Sequence, residues 1–179
     1  GSEFTAQLVI WGFLLCFVMM LEGFLSGLAN RKSARLAVLI FLSIPVVGYS
    51  SLYVKNDLPV SLFIVAHYFA MIQALRLKSA DFKSFQKWFL LSGILAGGAV
   101  GHKLTALPIA AVSFLILILG GLDFKSRKMV RPYSALFWLM GFLLAAGPWF
   151  LRTFLAAGNP VFPFLTRFFG NHLDPFYDD

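Results

Sequence analysis

The chain of 179 residues is 59% hydrophobic and only 13% charged, with 21 Phe and a single cysteine. A soluble domain carries about a quarter of its residues as charge, so this composition excludes an ordinary water-soluble fold. A mean hydropathy of +0.81 leaves more apolar surface than one small core can hide. Disorder and a disulfide scaffold are excluded by the same figures, and Cys16 reads as a small buried hydrophobe within its apolar run.

The first four residues, GSEF, read as translated restriction-site sequence and stand outside the fold, so the chain is expected to be a piece of a longer protein. Neither a basic stretch before the first apolar run nor a small-residue cleavage site after it is present, which argues against a signal peptide. A helix needs about 20 apolar residues to cross about 30 Å of hydrocarbon. Apolar runs over residues 4–21, 36–54, 58–75, 88–102, 104–122 and 132–151 supply the candidates. Five reach spanning length, whereas 88–102 is short and glycine-rich and is expected to be thin, tilted or re-entrant. The expectation is an all-α, polytopic transmembrane helical bundle of about six membrane segments over residues 5–152. An external tail follows over 153–179. There Gly158, Pro160, Pro163 and Pro175 break helical continuity, and Phe162, Phe164, Phe168 and Phe169 are placed to anchor at the membrane interface.

Of the 15 Lys and Arg, all but Lys55, Lys103, Arg152 and Arg167 fall in three connectors: Arg31, Lys32 and Arg35; Arg76, Lys78, Lys83 and Lys87 against Asp81; and Lys125, Arg127, Lys128 and Arg131 against Asp123. By the positive-inside rule these connectors are cytoplasmic and the alternate ones external. This distribution lacks the polar, aromatic-interleaved surface that a nucleic-acid partner requires. The expected partners are instead the bilayer, its anionic lipids and further helices of the parent chain.

No HExxH, GxSxG, Walker, CxxC or dinucleotide-binding glycine motif is present, and no metal-ligand spacing occurs. Chemistry is left to ionisable residues near the external boundary. Asp57, in YVKNDLPV, opens a helix with Pro59 just inside it, and reads either as a cap paired with Lys55 or as a catalytic carboxylate at the mouth of an external cavity. Lys103, in GGAVGHKLTALP, is either a snorkelling loop lysine or a phosphate-binding cation with His102 as an added donor. Arg152, ending GPWFLR, offers a planar fork suited to phosphate or an ordinary interfacial helix end. His67 is read as making an interhelical hydrogen bond, with Gln73 also facing the interior. Glu22 is read as structural, neutralised by Arg31 or Arg35. Gly23, Ser26 and Gly27 form a small-residue face, and GILAGGAVG forms a stronger one where close helix packing is expected.

Three stretches in order, YSSLYVKNDLPVSLFIVAHYFAM, FKSFQKWFLLSGILAGGAVGHKLTALPIA and GPWFLRTFLAAGNPVFPF, resemble the bacterial GT-C type of polytopic glycosyltransferase, similar to the protein mannosyltransferase and aminoarabinose transferase group. They cover roughly residues 45–165. The resemblance implies transfer of a sugar from a polyprenyl-phosphate donor on the external, periplasmic face of a bacterial inner membrane. By motif position Asp57 matches the family's acidic residue after its second loop, Lys103 the lysine of the KxTAL-like turn, and Arg152 the arginine before GNPVFP. Leu104 stands where many relatives have an aromatic. The family's principal catalytic carboxylate usually lies in a first external loop that this chain does not contain, so a fragment is not expected to transfer sugar alone, and a divalent metal in the parent stays open.

Two rivals come from other classes. One is a transporter or flippase subunit for lipid-linked sugars, favoured by Glu22, His67 and a broken fourth segment; the other is a non-catalytic membrane assembly module. The charge distribution itself makes a prediction. Single cysteines at positions 57, 103 and 152, in a Cys16→Ser background, should all react with a membrane-impermeant maleimide from one side of sealed vesicles, and a cysteine at position 32 only from the other.

Overall fold

The computed structural model describes residues 2–53, 55–76, 82–119 and 131–169. The expectations for Lys78, Asp81, Asp123, Lys125, Arg127, Lys128 and the closing HLDPFYDD fall outside these residues. The described chain is all-α, with no strand among the described residues. It comprises α1 (Ser2–Leu28), α2 (Arg31–Ser43), α3 (Pro45–Leu52), α4 (Asp57–Arg76), α5 (Phe82–His102), a 3-10 turn at Leu104–Ala106, α6 (Leu107–Leu119), α7 (Arg131–Ala157) and the short α8 (Thr166–Phe169).

Three helices are long and apolar enough to cross a membrane, Phe4–Leu28, Asp57–Arg76 and Tyr133–Ala157, and the bent α2–α3 pair makes a fourth if it is one span. The described helices therefore give three or four candidate spans against the six expected from apolar runs. Two of the shortfalls have a local cause. The run at 36–54 is broken because a proline disfavours helical backbone in the residue before it. Ile44 accordingly turns extended, with φ −67° and ψ 121°, Pro45 starts α3, and the two helices meet at 66°. The run at 104–122 is described to Leu119, as the 3-10 turn leading into α6, and its end lies outside the described residues. The run at 88–102 is an unbroken helix, extended backward to Phe82 through Lys83 and Lys87 to 21 residues, and those lysines with its glycines dilute its hydropathy.

Side-chain contacts fix the helix directions. Phe13 meets Phe63 and Phe24 meets Phe69, so α1 and α4 run the same way. Phe17 on Phe41 and Glu22 on Arg35 make α2 antiparallel to α1. Phe69 near Trp88 and Asn56 near His102 make α5 antiparallel to α4. Gly93 abuts Trp138 and Gly97 abuts Phe142, so α7 is parallel to α5, and α6 supplies the return. Directions thus alternate along the chain. Arg31, Arg35 and Arg76 gather at one end of the bundle, Asp57, Lys103 and Arg152 at the other.

The core is the α4–α5–α7 layer. On α4, His67, Ala70, Met71 and Ala74 repeat at helical spacing and are buried against α5. On α5, buried residues occupy both flanks, among them Phe85, Phe89, Ser92, Gly93, Ala96 and Gly97. A helix covered on both sides by protein can carry small and polar residues that a lipid-facing helix cannot. GILAGGAVG does pack closely, as expected: a methyl at Gly93 would land on the Trp138 carbonyl, one at Gly141 on the Leu90 carbonyl, and one at Gly97 within 2.5 Å of the Phe142 oxygen. Gly23 and Gly27 instead face open space. Cys16 is exposed on the outer surface of α1, not buried as its run suggested, because little of α1 beyond Ile10 and Phe17 is buried.

Inside this layer His67 is 1% exposed and fully engaged, in agreement with the interhelical reading. The Ser92 carbonyl lies 3.0 Å from Nδ1. A carbonyl can only accept, so Nδ1 carries the proton and Nε2 accepts from the Ser113 hydroxyl at 2.9 Å. Ser92 Oγ in turn donates to the His67 carbonyl at 3.2 Å, tying α4, α5 and α6 together. Glu22 accepts from Arg35 Nε at 3.0 Å, one of the two partners anticipated for it.

The glycine contacts yield a stability prediction. Gly93→Ala should cost about 1–3 kcal/mol through overpacking against backbone, whereas Gly23→Ala should stay within about 0.5 kcal/mol of the parent. Thermal unfolding in detergent, monitored by circular dichroism, measures both.

Candidate functional site

Asp57, His102, Lys103 and Arg152, singled out on separate segments of sequence, assemble at one end of the bundle. Asp57 starts α4, His102 ends α5, Lys103 occupies the extended residue before the 3-10 turn, and Arg152 sits in the last turns of α7. Antiparallel α4 and α5 bring the first three together, and the parallel α5–α7 contact brings in the fourth.

Lys103 Nζ donates to Asp57 Oδ1 at 2.6 Å, with the two side chains 46% and 48% exposed. The expected Asp57–Lys55 pair does not form. The Lys55 ammonium instead lies 4.9 Å from the Tyr49 ring centre and 5.9 Å from that of Tyr53, where it gains cation–π attraction. Asp57 makes no side-chain bond to free amides of α4. Its carboxylate still favours the helix start through the dipole, while Ser61 Oγ donates to its backbone carbonyl at 2.7 Å. Asn56, which the sequence reading passed over, donates from Nδ2 to the His102 carbonyl at 3.5 Å and links the two helix ends.

The His102 imidazole stacks on Phe63, with ring centres 5.2 Å apart, and meets Phe13 edge-on at 6.3 Å. It shares a cavity of about 430 Å³ with Arg152, whose other walls include Gly98, Gly101, Pro148 and Trp149. The glycines keep the α5 wall low, with open space where a side chain at Gly101 would stand. Trp149 carries the Arg152 guanidinium 5.7 Å from its ring centre, which holds the fork without using its hydrogen-bond donors. This cavity has three nitrogen-bearing side chains, His102, Trp149 and Arg152, and no carboxylate in its wall. Asp57 lies elsewhere, in a second cavity of about 240 Å³ beneath the α2–α3 bend, walled by Phe17, Phe41, Val46, Val47, Ser50, Leu58 and Ser61. The Asp57–Lys103 pair therefore bridges the helix ends beside one cavity and borders the other.

The segment after Arg152 is more ordered than a sequence break suggests. Helix α7 runs to Ala157, five residues beyond 152, where the membrane domain was expected to end. Gly158 then takes a positive φ of 67°, the αL backbone that ends helices. Asn159, 0% exposed, accepts from Val161 N at 3.0 Å and donates to the Phe164 carbonyl at 2.8 Å. Thr153 Oγ1 adds a bond to the Pro160 carbonyl at 2.7 Å. An asparagine followed by proline is the visible turn signal for this organiser, which sequence reasoning left unnamed. Phe164, Phe168 and Phe169 are exposed, and Phe162 is half-buried.

Among the described residues no three His, Cys, Asp or Glu side chains converge where a metal ion would bind. Comparison of the chain with protein-family models, curated proteins and solved structures found no match.

An ion pair this exposed contributes little to stability. A double-mutant cycle on Asp57→Asn and Lys103→Met should return a coupling of under about 1 kcal/mol in chemical unfolding, while each single variant still inserts into membranes.

Proposed function

We propose that this chain is part of the membrane domain of a glycosyltransferase that takes a sugar from a polyprenyl-phosphate donor on the external side of a bacterial inner membrane. The observation that carries the reading is the shared cavity of His102 and Arg152 at the bundle end where Lys103 and Asp57 also meet. The similarity of three sequence stretches to GT-C enzymes supports it. In this reading the chain contributes about six membrane segments, α2–α3, α5 and α6 included, and the end bearing Arg31, Arg35 and Arg76 is cytoplasmic. That assignment rests on the positive-inside rule.

The leaving phosphate gains negative charge as the glycosidic bond breaks. Arg152 offers it a planar set of donors, His102 one more, and Lys103 a mobile ammonium on a four-carbon stem. The cavity is open, with His102, Pro148, Trp149 and Arg152 all exposed, so these contacts strengthen when the bound donor displaces water from them. Lys103 has to leave Asp57 to reach a phosphate, which frees a carboxylate to orient the acceptor. The parent's principal base lies on another part of the longer protein, so the fragment binds donor without turning it over.

The transporter reading has one feature in its favour, the discontinuous α2–α3 pair. The residues first enlisted for it are otherwise occupied, Glu22 by Arg35 and His67 by Ser92 and Ser113.

Incubating the full-length protein with polyprenyl-phosphate-linked sugars and an acceptor extract should release carrier phosphate. Arg152→Gln should reduce that release at least about tenfold, roughly 1.4 kcal/mol of transition-state stabilisation, and Asp57→Asn should lower turnover with membrane insertion intact. Movement of labelled lipid between leaflets without sugar release would instead favour the transporter.

A further inference from the structure

The second cavity has a chemistry of its own. Five of its walls are hydrocarbon, Phe17, Phe41, Val46, Val47 and Leu58, and three residues on it are polar, Ser50, Asp57 and Ser61. Ser61 spends its hydroxyl proton on the Asp57 carbonyl. Lys103 occupies Oδ1 of Asp57, which leaves Oδ2 without a partner among the described residues, as is the Ser50 hydroxyl.

We propose that this cavity, formed by α1, the α2–α3 bend and the start of α4, binds the hydroxyl-bearing end of an amphipathic alcohol, with Asp57 Oδ2 accepting its hydrogen bond. The alternatives fail on charge and solvation. An anion would meet a carboxylate with no cation in the cavity wall. An ammonium would have to displace Lys103 from a pair that is already neutral. A pure hydrocarbon would take water from Asp57 and Ser50 and give neither a hydrogen bond in return. A neutral hydroxyl needs only the free lone pairs of Oδ2 and gives Ser50 a partner.

The volume and the setting define the rest of the ligand. At about 240 Å³ the cavity is smaller than the roughly 300–1,000 Å³ of sites that enclose a drug-sized molecule, so it takes a head and leaves the tail outside. Its outer rim at the bend is apolar and exposed, with Ile44 42% and Val46 63% accessible. In a chain of this composition that rim faces lipid, and the tail lies along it. In naming the acceptor of the transfer as such an alcohol the inference rests on the transferase reading; the binding itself does not.

The test uses the full chain in lipid nanodiscs, a decanol carrying a photoactivatable diazirine, and the matching methyl ether, with adducts located by mass spectrometry. The alcohol should label residues 41–61 and Phe17 several-fold more than the ether. Ser50→Phe, which fills the cavity without touching the ion pair, should abolish the difference. Asp57→Leu, which keeps the volume but removes the acceptor, should reduce it severalfold. Equal labelling by alcohol and ether, or labelling undiminished in both variants, overturns the proposal. Arg152→Gln, whose side chain lines the other cavity, should lose carrier release and keep the alcohol preference. Alcohol preference in an unsubstituted full-length protein that releases no carrier phosphate defeats the transferase and leaves this site standing, whereas normal carrier release with no alcohol preference defeats this site alone.

Discussion

Gly93 and Gly97 on α5 and Gly141 on α7 let two parallel helices touch backbone to backbone, and the meeting of Arg152 with the other candidate site residues depends on that contact. In a bilayer the hydrophobic effect offers no preference between a neighbouring helix and a lipid tail, so helices associate through close van der Waals packing, for which missing side chains are the means. With no side chain between them, α5 and α7 stay in register to their ends. His102 and Arg152 then line the same cavity.

Parallel neighbours need a return segment, and α6 supplies it. That segment also brings Ser113 to His67, so the polar cross-link of the core and the shape of the site have a common origin. Burial of α5 between α4 and α7 explains how the chain tolerates Ser92 and His67 at this depth, since each finds a partner within the protein. Trp138, at the centre of the same layer, stacks on Phe142 and Phe114, and its indole N–H is the buried side-chain polar atom left without a partner among the described residues.

The all-helical class was legible from composition, and the glycine-rich packing face, the neutralisation of Glu22 by Arg31 or Arg35 and the His67 bonding were legible from single residues. The number of spans was less legible, with three or four among the described residues, because a count of apolar runs is blind to backbone. Pro45 lies inside a run with no charge and still breaks it, and Lys83 and Lys87 cut short a run that the helix itself ignores. Partners were harder still. Lys55 is two residues from Asp57, while Lys103 is 46 residues away, and only the antiparallel return of α5 makes the distant lysine the near one. The two cavities are likewise products of helix ends meeting, which no local pattern records. Asn159 shows the opposite case, a local signal with a local outcome that composition-level reading of the tail overlooked.

The contact between α5 and α7 can be measured directly. A Gly97 methyl would sit 2.5 Å from the Phe142 oxygen, so the Gly97 Cα itself lies within about 4 Å of it, one carbon–carbon bond of about 1.5 Å further. Solid-state NMR on bilayer-reconstituted protein, labelled at the Gly97 Cα and the Phe142 carbonyl carbon, should give a strong dipolar coupling between the two sites. Absence of that coupling in protein that is folded and inserted would separate the helices and dismantle the shared cavity of His102 and Arg152.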